Sequence, residues 1–166
     1  MIFVTVGTQG PFDRLVAAVD GWAGAHPQHE VFAQVGPSAL RPRHVAAQAS
    51  ISPSECRRRI RDADLVLAHA GMGTVLSALE LGTPLLVMPR RAALGEHRND
   101  HQLATARWLA GIGSVGVAFD EVELERKLDE LGRAGGLPPI NAYASDDFIA
   151  ALRTFIDGDA RAVTRA

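Results

Sequence analysis

An α/β fold built on a parallel, Rossmann-like sheet with helices on both faces is the class this sequence predicts, and three observations carry that expectation. Short apolar runs rich in β-branched residues recur along the chain, as in "IFVTV", "VFAQV" and "PLLVMP". Longer stretches with apolar residues three and four apart separate them, which is helical spacing. Glycine or proline punctuates most of the changeovers. Strand and helix in alternation imply right-handed βαβ crossovers, and strands covered on both faces read as continuous apolar runs.

In chain order, residues 2–6 read as a buried first strand ending at Gly7. Pro11 suits a first helical position, and Phe12, Leu15, Val16 and Val19 then recur on one face. A second strand over 30–35 stops at Gly36-Pro37. A weaker third strand over 45–51 precedes Ser52-Pro53-Ser54-Glu55, the capping-box pattern that opens an arginine-rich helix. Residues 64–68 are the next short strand, 74–81 a helix closed by Gly82, 84–89 another strand, and 90–98 a polar loop. Over 99–110, Leu103, Ala106 and Leu109 share a helical face. A last strand near 115–119 leads into a charged helix over 121–131. The sequence thus predicts a nucleotide-type domain over 1–131, a Gly/Pro-rich linker over 132–144, and a tail over 145–166 whose helix is capped by Ser145 and carries Phe148, Leu152 and Phe155.

Composition narrows the function classes. Lys+Arg of 17 against Asp+Glu of 19 in 166 residues leaves no basic excess to hold a nucleic-acid backbone, so nucleic acid is not an expected partner. Lys127 is the only lysine, which excludes a Walker-type phosphate loop and argues against Schiff-base chemistry. The single cysteine, Cys56, has no internal partner for a disulfide, and no Cys pair has metal-site spacing. Neither a metal nor a cofactor is expected. No apolar run reaches the length of a membrane span or a secretory leader, and a cytoplasmic location follows as an expectation.

In an open parallel sheet, ligands bind beyond the carboxyl ends of the strands, and the conspicuous residues fall there. Foremost is "HAGMGT", residues 69–74. Gly71 and Gly73 remove Cβ atoms where a strand turns into a helix, so backbone N–H groups at a positive helix end can approach an anion. His69 and the Thr74 hydroxyl add donors, and such a turn can hold a diphosphate without lysine or metal. The same glycines also suit a plain tight turn, with His69 bonded to a buried carbonyl. A dinucleotide fingerprint is absent: Leu76 stands at the third glycine position, and Arg90, not an acid, follows the strand ending at Met88.

Beyond spacing, "FVTVGT" (3–8), "AQVG" (33–36), "ADLVLAHAGMGT" (63–74), "GTPLLVMP" (82–89) and "HRNDHQLATA" (97–106) occur in that order. Together they resemble the nucleotide-sugar-binding half of GT-B glycosyltransferases, of the family 28 C-terminal type. The narrower resemblance is to the small subunits of split enzymes in N-glycan lipid and bacterial exopolysaccharide synthesis. It implies one half of a GT-B fold and a UDP-sugar donor, with His69, Gly71, Met72, Gly73 and Thr74 around the diphosphate and Gly7 and Thr8 lining the same crevice. Gln102 matches the position that bonds donor-sugar hydroxyls, with Asn99 and His101 beside it; Asn99 also suits a helix cap.

One departure stands out. Many members carry an acid for the ribose hydroxyls where this chain has Ser77; Glu80 is either its substitute or a solvated helix residue. The loop arginines Arg90, Arg91 and Arg98 suit a clamp on a sugar carboxylate or the diphosphate, a subunit interface, or hydration alone. Glu96 and His97 assist the donor site or fix the loop. The resemblance further implies inverting transfer of a hexosyl or glucuronosyl group without metal, to a lipid-linked saccharide acceptor. A membrane-associated acceptor-binding subunit would hold this chain at the inner face of the membrane, with the tail helix docking on it or packing on its own domain. No residue of this chain is assigned as the catalytic base. The alternative is a nucleotide-sugar-binding regulatory or interaction module without transfer activity of its own.

Overall fold

The computed structural model describes residues 1–113 and 115–131; the expected linker and tail helix lie outside the described residues. Six parallel strands form one sheet in the order β3-β2-β1-β4-β5-β6. They are β1 (Ile2–Thr5), β2 (Val31–Gln34), β3 (Ala46–Gln48), β4 (Leu65–His69), β5 (Leu85–Met88) and β6 (Gly116–Val117). The helices are α1 (Asp13–Ala25), α2 (Pro53–Asp62), α3 (Met72–Leu81), α4 (His101–Ile112) and α5 (Glu121–Leu131), with a 3₁₀ turn at Ala92–Leu94 inside the polar loop. This is the Rossmann-like α/β architecture the sequence predicts, and its strand order reverses between β1 and β4.

The central strands are buried on both sides, which explains their unbroken apolar runs. Val4, Leu67 and Leu86 face a core shared with Leu15, Val16 and Val19 of α1 and Leu124 and Leu128 of α5. Phe3, Val66 and Val87 face the other core, with Ile60 of α2, Val75 and Ala78 of α3, and Ala106 and Leu109 of α4. Each such side chain removed from water contributes roughly 1.5–3 kcal/mol, so the sheet is a stiff platform for the loops at its edge.

Element boundaries depart from the sequence reading for local reasons. Pro11 lies outside α1: Phe12 is non-helical at φ −140°, ψ 63° and wholly buried, so the helix begins only at Asp13. The capping box of α2 is half formed. Ser52 Oγ accepts the Glu55 N–H at 3.2 Å, but the Glu55 carboxylate turns to Arg58 and Arg59 instead of back to the cap. Helix α3 starts two residues earlier than predicted, at Met72, which places Gly73 inside its first turn.

Candidate functional site

The loops following β1 and β4 part at the strand-order reversal, and a crevice of about 1080 Å³ opens between them along the carboxyl edge of the sheet. That volume suits a small-molecule ligand. The amino-terminal ends of α2, α3 and α4 border it in succession, through Pro53, Gly73 and His101.

The centre of the crevice is the start of α3. Gly71 is its N-cap and offers no side chain, so no side-chain cap closes the helix end. The Gly71 N–H donates to the His69 carbonyl at 2.8 Å, and the first helical bond runs from Val75 N–H to the Gly71 carbonyl at 3.1 Å. Among the described residues, the N–H groups of Met72, Gly73 and Thr74 therefore have no acceptor. An open first turn carries partial positive charge and convergent donors, the arrangement that binds phosphate oxygens. A Cβ on Gly73 would meet nothing within 4 Å, so this turn faces open space.

Gly7 and Gly71 have a different task. A Cβ on Gly7 would stand 2.5 Å from His69 Cε1, and one on Gly71 would collide with His69 Nε2. The two glycines thus form a slot for the imidazole, and Gly7 also takes a left-handed φ of +74°. Burial first, then the charge of Arg90 and, least, nearby His97, push the His69 pKa down to about 4 against an opposing influence from the Thr5 main chain. His69 Nδ1 is buried with no well-formed hydrogen bond. At pH 7 the ring is neutral and stands beside the open helix end.

Behind the slot, Gln34 stitches three strands together. Its Oε1 accepts from the Thr5 hydroxyl at 2.7 Å, and its Nε2 donates to the carbonyls of Gly7 at 3.2 Å and Ala49 at 2.9 Å. The Thr5 hydroxyl also accepts the Gly7 N–H at 3.2 Å. Sequence reasoning assigned Gln34 no role, although an amide inside an apolar strand is the kind of buried polar group that must find partners.

The expected residues divide into two groups. Gly7, Thr8, His69, Gly71, Met72, Gly73, Thr74, His101 and Gln102 all line the crevice. Gln102 is buried, and its Oε1 accepts the Arg90 N–H at 3.2 Å. Asn99 does not line it; its Oδ1 instead bonds the His101 ring Nδ1 and accepts the His101 N–H at 3.4 Å.

The candidate clamp arginines and acids lie outside the crevice lining and most have partners elsewhere. Arg90 is 1% exposed, and its guanidinium donates to the carbonyls of Val6, Gly10, Pro11 and Glu96 at 2.7, 2.8, 2.8 and 3.3 Å. It ties the loops together and does not reach the crevice. Arg91 donates to the Phe119 carbonyl, and Arg98 is exposed outside the crevice lining. Glu96 fixes the loop: its carboxylate takes Arg14 Nε and Nη2 at 2.6 and 2.9 Å and the Arg91 N–H at 2.8 Å. Glu80 forms a two-pronged pair with Arg57 at 2.9 and 3.2 Å, which holds its carboxyl below the usual range, and it too lies outside the lining. Ser77 does line the crevice and donates to the Gly73 carbonyl at 2.9 Å. Arg57, Cys56 and Thr105 also line it and were given no site role from sequence: Arg57 and Cys56 sit on a charged helix that reads as surface, and Thr105 lies within 97–106 one turn beyond His101.

Fold and site together define a Rossmann-like domain with an anion-seeking crevice at its strand-order reversal. Residues 1–136 match the glycosyltransferase family 28 C-terminal domain, and the chain belongs to that family. It is 30% identical over 118 residues to the human UDP-N-acetylglucosamine transferase subunit ALG13, a match covering 65% of this chain and 10% of that protein's length. Among solved structures, the solution NMR structure of ALG13 superposes with a TM-score of 0.59 at 20% identity, covering 91% of this chain and 93% of that one. Os79 from O. sativa, solved in complex with UDP, gives a TM-score of 0.57 at 17% identity, over 80% of this chain and 31% of its own. These neighbours place the fold among GT-B glycosyltransferases.

Proposed function

We propose that this chain is the donor-binding, catalytic component of a two-part inverting glycosyltransferase that takes a UDP-sugar. The observation that carries the reading is the open first turn of α3, with three free N–H groups and a neutral imidazole facing a crevice whose described lining contains no carboxylate. The diphosphate sits on that turn and His69, the sugar lies toward Gln102 and His101, and the nucleoside extends toward α2. As the anomeric bond to the diphosphate breaks, negative charge grows on its oxygens, where aligned amides and the imidazole stabilise it most. An approaching dianion also favours a proton on His69.

A partner supplies the acceptor site and the base that deprotonates the attacking hydroxyl. In this reading that partner is membrane-associated, the acceptor is a lipid-linked saccharide, and the chain works at the cytoplasmic membrane face. No described helix is long and apolar enough to cross a membrane. The loop arginines Arg90, Arg91 and Arg98 lie outside the crevice lining and Arg57 lines it at the α2 end, away from Gln102 and His101, which favours a neutral hexosyl group over a glucuronosyl one.

Calorimetry with UDP tests the reading. The wild-type chain binds saturably, and Gly73→Trp, which fills open space without touching the core, lowers affinity at least tenfold at unchanged melting temperature. Folded wild-type protein with no UDP affinity contradicts the proposal. In the assembled enzyme, Gln102→Ala lowers transfer rate; an unchanged rate would instead make the chain a regulatory module.

A further inference from the structure

We infer that Arg57 is a specificity residue for the nucleoside end of the ligand, and that this site reads the nucleoside through its acceptor oxygens and does not require the ribose 2′-hydroxyl. The inference rests on the donor reading above and deepens it. Among the described residues lining the crevice there is no Asp or Glu, and Arg57 is the one side chain of fixed charge. Sites that demand a ribose diol present a carboxylate to accept its hydroxyl hydrogens. Here the nearest candidate, Glu80, is turned out of the crevice and occupied by both Arg57 terminal nitrogens. The Ser77 hydroxyl gives its hydrogen to the Gly73 carbonyl and keeps only a neutral acceptor oxygen, a weaker partner for a ribose hydroxyl than a carboxylate.

Position separates Arg57 from the diphosphate seat. Its partner Glu80 stands seven residues beyond Gly73 on α3, roughly 10 Å along the helix axis. The guanidinium therefore marks the α2 end of the crevice, where Ile51, Pro53 and Cys56 supply an apolar wall that can cover the face of a base. Glu80 occupies one edge of the guanidinium and steadies it, leaving other N–H groups to donate. An arginine offers donors only, so what it recognises is an acceptor oxygen of the nucleoside.

Calorimetric titrations of the wild-type chain, Arg57→Ala and Glu80→Gln with UDP, 2′-deoxy-UDP and inorganic pyrophosphate test this. Wild type is expected to bind UDP and 2′-deoxy-UDP within fivefold of one another. Arg57→Ala should lose at least fivefold toward both while holding pyrophosphate within twofold, and Glu80→Gln should keep UDP affinity within fivefold or improve it. Thermal melts confirm that both helix-surface variants fold. A greater than fivefold preference of wild type for UDP overturns the inference, as does an Arg57→Ala effect below fivefold on UDP. An equal loss toward pyrophosphate would make Arg57 a phosphate ligand, and a larger loss in Glu80→Gln would return the ribose to that carboxylate; either result overturns it. Absence of UDP binding by wild type overturns the donor reading itself, a failure distinct from all of these.

Discussion

Two polar regions sit side by side at the carboxyl edge of the sheet, and they behave in opposite ways. The loop from Arg90 to Arg98 carries most of the charge, yet its buried charged groups are saturated from within: Arg90 is buried against four carbonyls and Glu96 is locked to Arg14, although His97 Nδ1 in the same loop is buried without a partner. The turn from His69 to Thr74 carries no fixed charge, yet it leaves three amides and a buried ring nitrogen unsatisfied. A row of unmet backbone donors, rather than density of charge, is what makes the turn the stronger candidate for a ligand seat.

The largest expected effect falls on the saturated side. Arg90→Leu strands the carbonyls of Val6, Gly10 and Pro11 beneath the β1 loop and should cost about 3–5 kcal/mol of stability, read as a shift in the urea midpoint. A loss below about 1 kcal/mol would show that those carbonyls find other partners and would blur the contrast.

Next in size is a pH effect at His69. Its folded pKa of about 4 lies below the ordinary 6.5, so as pH falls the unfolded chain takes up the proton first. Stability present above pH 6.5 is therefore lost as pH drops toward 4, by on the order of 2–3 kcal/mol from this ring. Urea titrations at pH 7, 6 and 5 should show that slope, and His69→Gln should flatten it; an identical slope in the variant would mean the ring is not held neutral.

A smaller change is expected from Gly71→Ala. The backbone there, at φ −95°, accepts alanine, so the substitution acts by driving the His69 ring out of its slot. UDP affinity should fall about tenfold with the fold retained, roughly 1.4 kcal/mol of binding. Smallest of all, Arg98→Ala should leave UDP affinity within twofold, because Arg98 is exposed outside the crevice lining; a clear loss would restore the clamp.

Much of this was legible before any coordinates. Strand and helix order followed from apolar runs and punctuation, since a strand buried on both faces has nowhere to put polar side chains. That a glycine turn joins β4 to α3 was legible because Gly71 and Gly73 fall where an apolar run gives way to helical spacing. What escaped was side-chain partnership across long stretches of chain. Arg90 meets Val6 across 84 positions and Arg14 meets Glu96 across 82, pairings that local pattern does not encode. The loop's charge therefore looked available when it was already committed. Gly71 was read as room for an anion, while its first duty is room for His69; Arg57 escaped because an arginine on a charged helix looks solvated until the neighbouring crevice is seen.

The most direct test of the central claim is a titration of isotopically labelled protein with UDP, following backbone amide resonances. A diphosphate seated on α3 should move the signals of Met72, Gly73 and Thr74 more than any others, saturating together at one dissociation constant. If those three stay in place while amides of the Arg90 to Arg98 loop shift, the ligand binds the charged region and the open helix end is not its seat.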